Sequence, residues 1–275
     1  MSNSLFLRRL ALVLTLALVT GGAFAQAQRA ADQYQPEVGQ DGKDVVWVPT
    51  AQALVDKMLD MAKVTPKDYV IDLGSGDGRT VITAAKRGAR ALGIEYNPEM
   101  VELSKHNAAK EGVSDKARFI KADLFESDFS QATVITMFLL PEINIKLRPK
   151  ILDLKPGTRV VSNSFNMGEW EADETATAPD GCSSYCRAYL WIVPAKVQGT
   201  WKIDGGELKL GQTFQMLSGT MKAGGSTTAI SGGRMTGDEI SFTAGGSRYT
   251  GRVNGNSIEG TIVSGSRRTT WTATR

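Results

Sequence analysis

Apolar positions along this 275-residue chain change their spacing from one segment to the next. Residues 10–19 form an apolar run interrupted only by Thr15, whereas residues 26–43 are polar and have no period. Leu54, Met58, Met61 and Ala62 then fall at helical spacing within residues 51–64, with Thr50 placed to cap the start. Beyond Pro66 and Asp68, short apolar runs alternate with helical patterns. Residues 69–73, 91–95, 118–121, 133–140 and 158–164 read as strands, and residues 80–87, 98–110 and 143–154 as helices between them. Such alternation calls for a parallel sheet with right-handed crossovers. Residues 170–178 and 187–193 read as two further strands, an antiparallel hairpin at the sheet edge. The fold class expected for residues 44–195 is therefore α/β, a doubly wound, mostly parallel seven-strand sheet.

After Pro194 glycine becomes dense and helices disappear. Alternating strands follow one another, and Gly237-Asp238-Glu239-Ile240 returns as Gly255-Asn256-Ser257-Ile258, spaced like one hairpin. Residues 196–275 are expected to be a small all-β domain, a meander closed as a barrel or folded as a sandwich. Trp201, Phe214, Phe242 and Trp271 are its expected core. The competing reading, an aromatic platform for glycans, needs them exposed on one face.

The N-terminus changes the setting. Arg8-Arg9, the apolar run and Ala23-Phe24-Ala25 have the layout of a secretory signal peptide spanning residues 1–25, with a flexible leader at 26–43. An uncleaved anchor is the alternative. The mature chain is expected to be periplasmic or secreted and to lack a membrane span. In an oxidising compartment Cys182 and Cys186 are disulfide candidates. Zinc would need two more ligands, and His106 is the sole histidine. A Cys–His catalytic pair would need His106 nearby, which nothing in the sequence provides. Charge divides unevenly: residues 26–195 carry 20 basic and 24 acidic groups, and residues 196–275 carry 10 and 5. The chain as a whole has no nucleic-acid signature.

The chemistry concentrates in Val70-Ile71-Asp72-Leu73-Gly74-Ser75-Gly76-Asp77-Gly78-Arg79, a strand running into a glycine-rich turn that opens a helix. Glu95 ends the next strand, where an acid can grip two ribose hydroxyls. Two cofactors compete for this turn. A dinucleotide site wants Gly-x-Gly-x-x-Gly, and its pyrophosphate disfavours a neighbouring carboxylate such as Asp72. S-adenosyl-L-methionine (SAM) carries no phosphate but has an ammonium and a sulfonium, so an acidic, glycine-lined pocket suits it better.

Asp-Leu-Gly-Ser-Gly-Asp-Gly-Arg at 72–79, Gly93-Ile94-Glu95-Tyr96-Asn97-Pro98 and Lys121-Ala122-Asp123-Leu124-Phe125 together resemble class I SAM-dependent methyltransferases with a Rossmann-like sheet. The resemblance implies that Asp72, Gly74, Ser75, Gly76, Asp77 and Gly78 hold the methionine moiety. It implies that Glu95, within the Asn97-containing motif, binds the ribose, and that Asp123 and Leu124 meet the adenine edge. Trp47-Val48-Pro49-Thr50, Met137-Phe138-Leu139-Leu140-Pro141, and Gly157 to Ser162 with Phe165 and Trp170 are similar to the small protein-lysine methyltransferases that modify the ATP synthase c-subunit and the adenine nucleotide translocase. That similarity covers residues 45–193 but not the cysteine loop or the β domain.

The motif of nucleic-acid amino-methylases, Asn/Asp-Pro-Pro-Tyr/Phe, is replaced here by Phe138-Leu139-Leu140-Pro141, and no metal site is expected. What remains is in-line attack of a protein lysine amine on the SAM methyl, favoured by proximity and orientation. The expected methyl-transfer mouth is Pro49, Thr50, Leu140 and Pro141, with no general base identified. The expected activity is thus an exported SAM-dependent methyltransferase acting on protein lysine. A catalytically silent envelope binding module and a nicotinamide-dependent oxidoreductase are the alternatives.

Overall fold

The computed structural model describes residues 34–178 and 181–275; the expected signal peptide lies outside them. Helix α1 (Gln52–Met61) precedes β1 (Tyr69–Leu73), α2 (Arg79–Lys86), β2 (Arg90–Glu95), α3 (Pro98–Lys110) and β3 (Ala117–Lys121). Then come β4 (Val134–Met137), α4 (Pro141–Leu152), β5 (Arg159–Asn163), β6 (Glu174–Thr177) and β7 (Arg187–Ile192). They build a seven-stranded sheet in the order β3-β2-β1-β4-β5-β7-β6. The strands from β3 to β5 are parallel, and β7 runs antiparallel to both neighbours. The order reverses between β1 and β4, so the sheet opens a crevice at the C-terminal ends of those strands, where α/β proteins bind ligands.

Alternating residues send side chains to opposite faces of each strand. Val70, Ala91, Val134, Val161 and Leu190 pack with α1, α2 and α3 through Leu54, Val81 and Val101. Ile71, Ile94, Ile135, Val160 and Trp191 face the other way, onto Ile143, Leu147 and Ile151 of α4. This second face has one helix among the described residues. Phe129, Met167 and Trp170 cover the rest of it. The expected eight-residue strand at 133–140 is only four residues long, because Phe138, Leu139 and Leu140 leave the sheet to floor the crevice.

The C-terminal unit is an antiparallel barrel. Its strands are β8 (Gly199–Ile203), β9 (Gly206–Thr213), β10 (Met216–Ala223), β11 (Ser226–Ala229), β12 (Ser231–Thr236), β13 (Glu239–Ala244), β14 (Ser247–Asn254), β15 (Ser257–Ser264) and β16 (Arg267–Thr274). Pairing of β9 with β10 closes the sheet, leaving β11 as an outer hairpin strand. Closure needs close backbone approach: a Cβ on Gly219 would lie 1.9 Å from the carbonyl of Lys209. The internal repeat is two hairpin turns, with Thr236 paired to Glu239 and Asn254 to Ser257.

Trp201, Phe242 and Trp271 fill the barrel as expected. Phe214 does not. It sits in the β9–β10 turn with φ 53° and stacks on Trp170 of the sheet unit at 6.0 Å. Sequence spacing cannot distinguish a barrel-core aromatic from one that leaves the barrel at a turn. Gln215 donates to the Glu171 carbonyl at 2.8 Å and Arg234 pairs with Asp173, so the barrel helps cover the sheet face that has one helix. No helix among the described residues is long and apolar enough to cross a membrane.

Candidate cofactor and acceptor site

Asp72 occupies the fourth position of β1, paired with Gly93 on β2 and Thr136 on β4 at the reversal point. Its Oδ1 accepts the Thr136 hydroxyl at 2.6 Å. Burial pushes its carboxyl up to about 7; the Thr136 hydrogen bond opposes the rise, and the nearby Glu95 and Asp77 add to it. Among the described residues no cation pairs with it. The turn that follows is left-handed at Gly74, Gly76 and Gly78. Two of these admit no side chain for a second reason. A Cβ on Gly76 would lie 2.7 Å from the Trp47 indole nitrogen, and one on Gly78 would lie 2.8 Å from the Phe119 ring. Helix α3 fixes the turn from behind: Ser104 donates to the Gly76 carbonyl at 2.8 Å, and Asn107 to that of Asp77 at 3.0 Å.

Glu95 uses both oxygens on backbone, accepting Gly76 N–H and Asn97 N–H, each at 2.9 Å. The side chain of Asn97 caps α3 by accepting from Glu99 N–H at 2.8 Å. Asp123 accepts Phe125 N–H at 2.8 Å and pairs with Lys43. The Lys43 contact, followed by the backbone bond, holds the Asp123 carboxyl below the usual range. Lys43 also lies 5.0 Å above the Tyr96 ring. Residues 34–43 make contacts at the cleft. Gly39 N–H donates to the Trp47 carbonyl and Trp47 N–H to that of Gln40, and residues Gln40 to Lys43 line the cleft. Their polarity reflects this partly exposed seat over the cleft.

The remaining expected residues divide. Asp72, Gly74, Ser75, Gly76, Asp77, Glu95, Asn97, Asp123 and Leu124 line one continuous cleft with Pro49, Thr50 and Leu140. Gly78 does not line it; it precedes α2 and packs against Phe119 and Ser104. Pro141 does not line it either. It opens α4, where its fixed φ suits the first helical turn.

Thr50 is clamped from two sides: its hydroxyl accepts Asn163 Nδ2 at 3.1 Å and its carbonyl accepts Arg79 at 2.7 Å. Arg79 also pairs with Asp77 through three contacts of 2.6–3.1 Å, which joins the glycine turn to the mouth. Cys182 and Cys186 are bonded as a disulfide, and Tyr185 within that loop reaches the cleft beside Phe138 and Phe165. Sequence reasoning missed Lys43, Arg79, Ser104, Asn107, Asn163 and Tyr185. Of these, Arg79 ends the glycine motif at 72–79 and Asn163 directly follows the segment 157–162, but neither position announces its role. His106 is half-buried on α3 and does not line the cleft.

A family model described as the ANTKMT methyltransferase domain matches residues 72–174. A protein-lysine N-methyltransferase of Saccharolobus islandicus is 44% identical over 152 residues, which is 94% of that protein and 54% of this chain. The chain belongs to this methyltransferase family. The human lysine N-methyltransferase of the ATP synthase c-subunit is 34% identical over 128 residues, but the chain spans only 54% of its length. A crystal structure described as an RNA methyltransferase from Salinibacter ruber in complex with S-adenosyl-L-homocysteine is 46% identical. It has a TM-score of 0.51, covering 55% of this chain and 96% of that one.

The chain is a SAM-dependent methyltransferase, and its residues fit that cofactor. Asp72 is a buried carboxylate with no cation beside it among the described residues, and the turn next to it runs through left-handed glycines, two of which a Cβ would crowd against Trp47 or Phe119. A pyrophosphate would meet Asp72, Asp77 and Glu95 together, so the dinucleotide reading fails on charge.

Proposed function

We propose that the chain is an exported protein-lysine N-methyltransferase. The aromatic acceptor mouth carries this reading: Phe138, Phe165 and Tyr185 join Thr50 and Leu140 at the cleft, a lining suited to an aliphatic chain ending in an amine. The activities for which the Saccharolobus and human relatives are named support the same substrate class. Export is supported by the N-terminal sequence pattern and by a disulfide, a bond that persists in oxidising compartments.

Asp72 holds the cofactor's ammonium, with Gly74 to Asp77 around the methionine moiety. Glu95 takes the ribose hydroxyls on the oxygens that already accept from Gly76 and Asn97. Asp123 and Leu124 border the adenine. SAM supplies, when bound, a methyl group on a sulfonium; an uncharged amine accepts it as the S–C bond breaks, and the positive charge passes to the product ammonium. The protein's contribution is orientation and exclusion of water.

The test is incubation of the mature protein with methyl-labelled SAM and an envelope extract, followed by hydrolysis. Label on lysine is expected, with none from Asp72→Ala. Label on RNA would favour the activity for which the Salinibacter protein is described. Label in no macromolecule would favour a silent binding module.

A further inference from the structure

We propose that Phe138, Phe165 and Tyr185 form a three-walled aromatic cage for an alkylammonium side chain, and that the Cys182–Cys186 loop serves to place the third wall. The inference deepens the lysine reading and rests on it.

The three rings come from three separate segments. Phe138 follows β4, Phe165 follows β5, and Tyr185 belongs to the disulfide loop before β7. They meet at centroid separations of 5.3 Å (Phe138–Tyr185), 6.0 Å (Phe138–Phe165) and 6.1 Å (Phe165–Tyr185). All three line the cleft that holds Asp72 and Thr50. Tyr185 keeps 46% of its surface exposed, so the cluster is open to an incoming side chain rather than closed as core.

Two unusual backbone positions serve this arrangement. Tyr185 itself has φ 55°, and Ser164, immediately before Phe165, has φ 58°. Non-glycine residues rarely adopt the left-handed region, and where they do the surrounding structure must hold them there. Around Phe165 the hold is visible. Ser164 N–H donates to the Arg187 carbonyl at 2.7 Å, and buried Asn144 donates to the carbonyls of Phe165 and Asn166 at 3.3 and 3.1 Å. Around Tyr185 the constraint is the covalent bridge, which joins cysteines only four positions apart.

The chemistry suits both ends of the transfer. The incoming ammonium is attracted to the ring faces, and it sheds its proton to solvent at the open side of the cluster before it attacks. The methylated ammonium that results is still attracted to the ring faces through their quadrupoles. A cage of rings thus holds the alkylammonium end of substrate and product alike.

The probe is Nα-acetyl-L-lysine methylamide, titrated by NMR into the full mature protein saturated with S-adenosylhomocysteine; the norleucine analogue is the uncharged control. The lysine amide should bind and the norleucine amide should bind more weakly. Tyr185→Ala should weaken lysine-amide binding about tenfold, Tyr185→Phe should preserve it within about twofold, and Cys182→Ser/Cys186→Ser should fall between them. S-adenosylhomocysteine affinity, measured alongside by calorimetry, should be unchanged in all three and shows that each variant is folded. Equal lysine-amide binding by Tyr185→Ala and the parent overturns the cage, as does equal binding of the two amides or none of either. If the extract experiment labels lysine equally with parent and Tyr185→Ala, the cage is wrong and the lysine reading stands. If lysine-amide binding depends on Tyr185 but label appears only on RNA, the cation cage stands and the lysine reading falls.

Discussion

The two ends of the cleft hold their functional groups in different ways. At the cofactor end, Asp72 to Asp77 and Glu95 are brought together by two adjacent parallel strands whose register pairs Asp72 with Gly93. Every polar group there is fixed within a few residues of a strand end. At the acceptor end, Thr50, Phe138, Phe165 and Tyr185 come from four loops, held by long-range side-chain bonds, two left-handed residues and a disulfide. A strand end tolerates little variation, because shifting it breaks the ladder. Loops on a rigid scaffold can be exchanged without that loss. The family model spans Phe138 and Phe165 as well as Asp72 and Glu95, so of the three acceptor rings only Tyr185, in the disulfide loop, lies outside it.

The largest expected effect tests whether the two ends separate. Asp72→Asn removes the buried charge opposite the cofactor's ammonium while keeping the shape and the bond to Thr136. Losing a charge-assisted contact of this kind costs about 2–3 kcal/mol, so SAM affinity measured by calorimetry should fall roughly 30- to 150-fold. Lysine-amide binding to any complex that still forms should persist. If Asp72→Asn binds SAM like the parent, the cofactor end has been misplaced.

The same carboxyl gives a pH signature that the acceptor end does not share. With its pKa raised to about 7, Asp72 carries a proton in the free protein below that pH. Binding a cation favours the ionised form, so each pH unit below about 7 should weaken SAM about tenfold, and binding should release a proton. Calorimetry in buffers of different ionisation enthalpy detects that release. The sign for folding is opposite. A carboxyl whose pKa is raised on folding stabilises the free protein below its unfolded value of 3.8, and that contribution is lost as pH rises through about 7. Asp72→Asn should flatten both profiles.

The same division explains what the sequence revealed. The parallel sheet, the glycine turn and Glu95 follow from local period and motif, because a strand ending in an acid and a glycine turn is one contiguous signal. The barrel was legible from glycine density and hairpin turns, but not its closure, which depends on β9 pairing with β10. Lys43 was hidden for the opposite reason. It lies in a polar stretch without a period, and its partner Asp123 is 80 positions away. Tyr185 was hidden because its cysteines announce only a bridge, not which side chain that bridge presents. Phe214 looked like the other barrel aromatics until the fold carried it across to Trp170.

Arg79 is where the separation between the ends should fail. It grips Asp77 in the glycine turn and the carbonyl of Thr50 at the mouth. Arg79→Met keeps much of the side chain's bulk and removes both sets of bonds. The expected loss is about 1–2 kcal/mol, near tenfold in SAM affinity and a similar factor in lysine-amide binding to the loaded protein. An effect on one end alone would mean that the turn and the mouth are held independently.

Lys43 should give the smallest effect, and it tests whether residues 34–43 belong to the cofactor end at all. The ion pair with Asp123 is largely exposed, with the Lys43 side chain 33% accessible, so solvent screens it and its worth is small. Lys43→Ala also removes the cation over Tyr96. Together these should weaken SAM by about threefold at low salt, and added salt should shrink the gap because screening already weakens the parent's ion pair. Freed from the ammonium, Asp123 should titrate closer to the ordinary carboxylate value, which NMR of its side-chain carboxyl would show. A Lys43→Ala variant with unchanged SAM affinity at every salt concentration, despite that shift at Asp123, would show that the strap rests on the cleft without contributing to it.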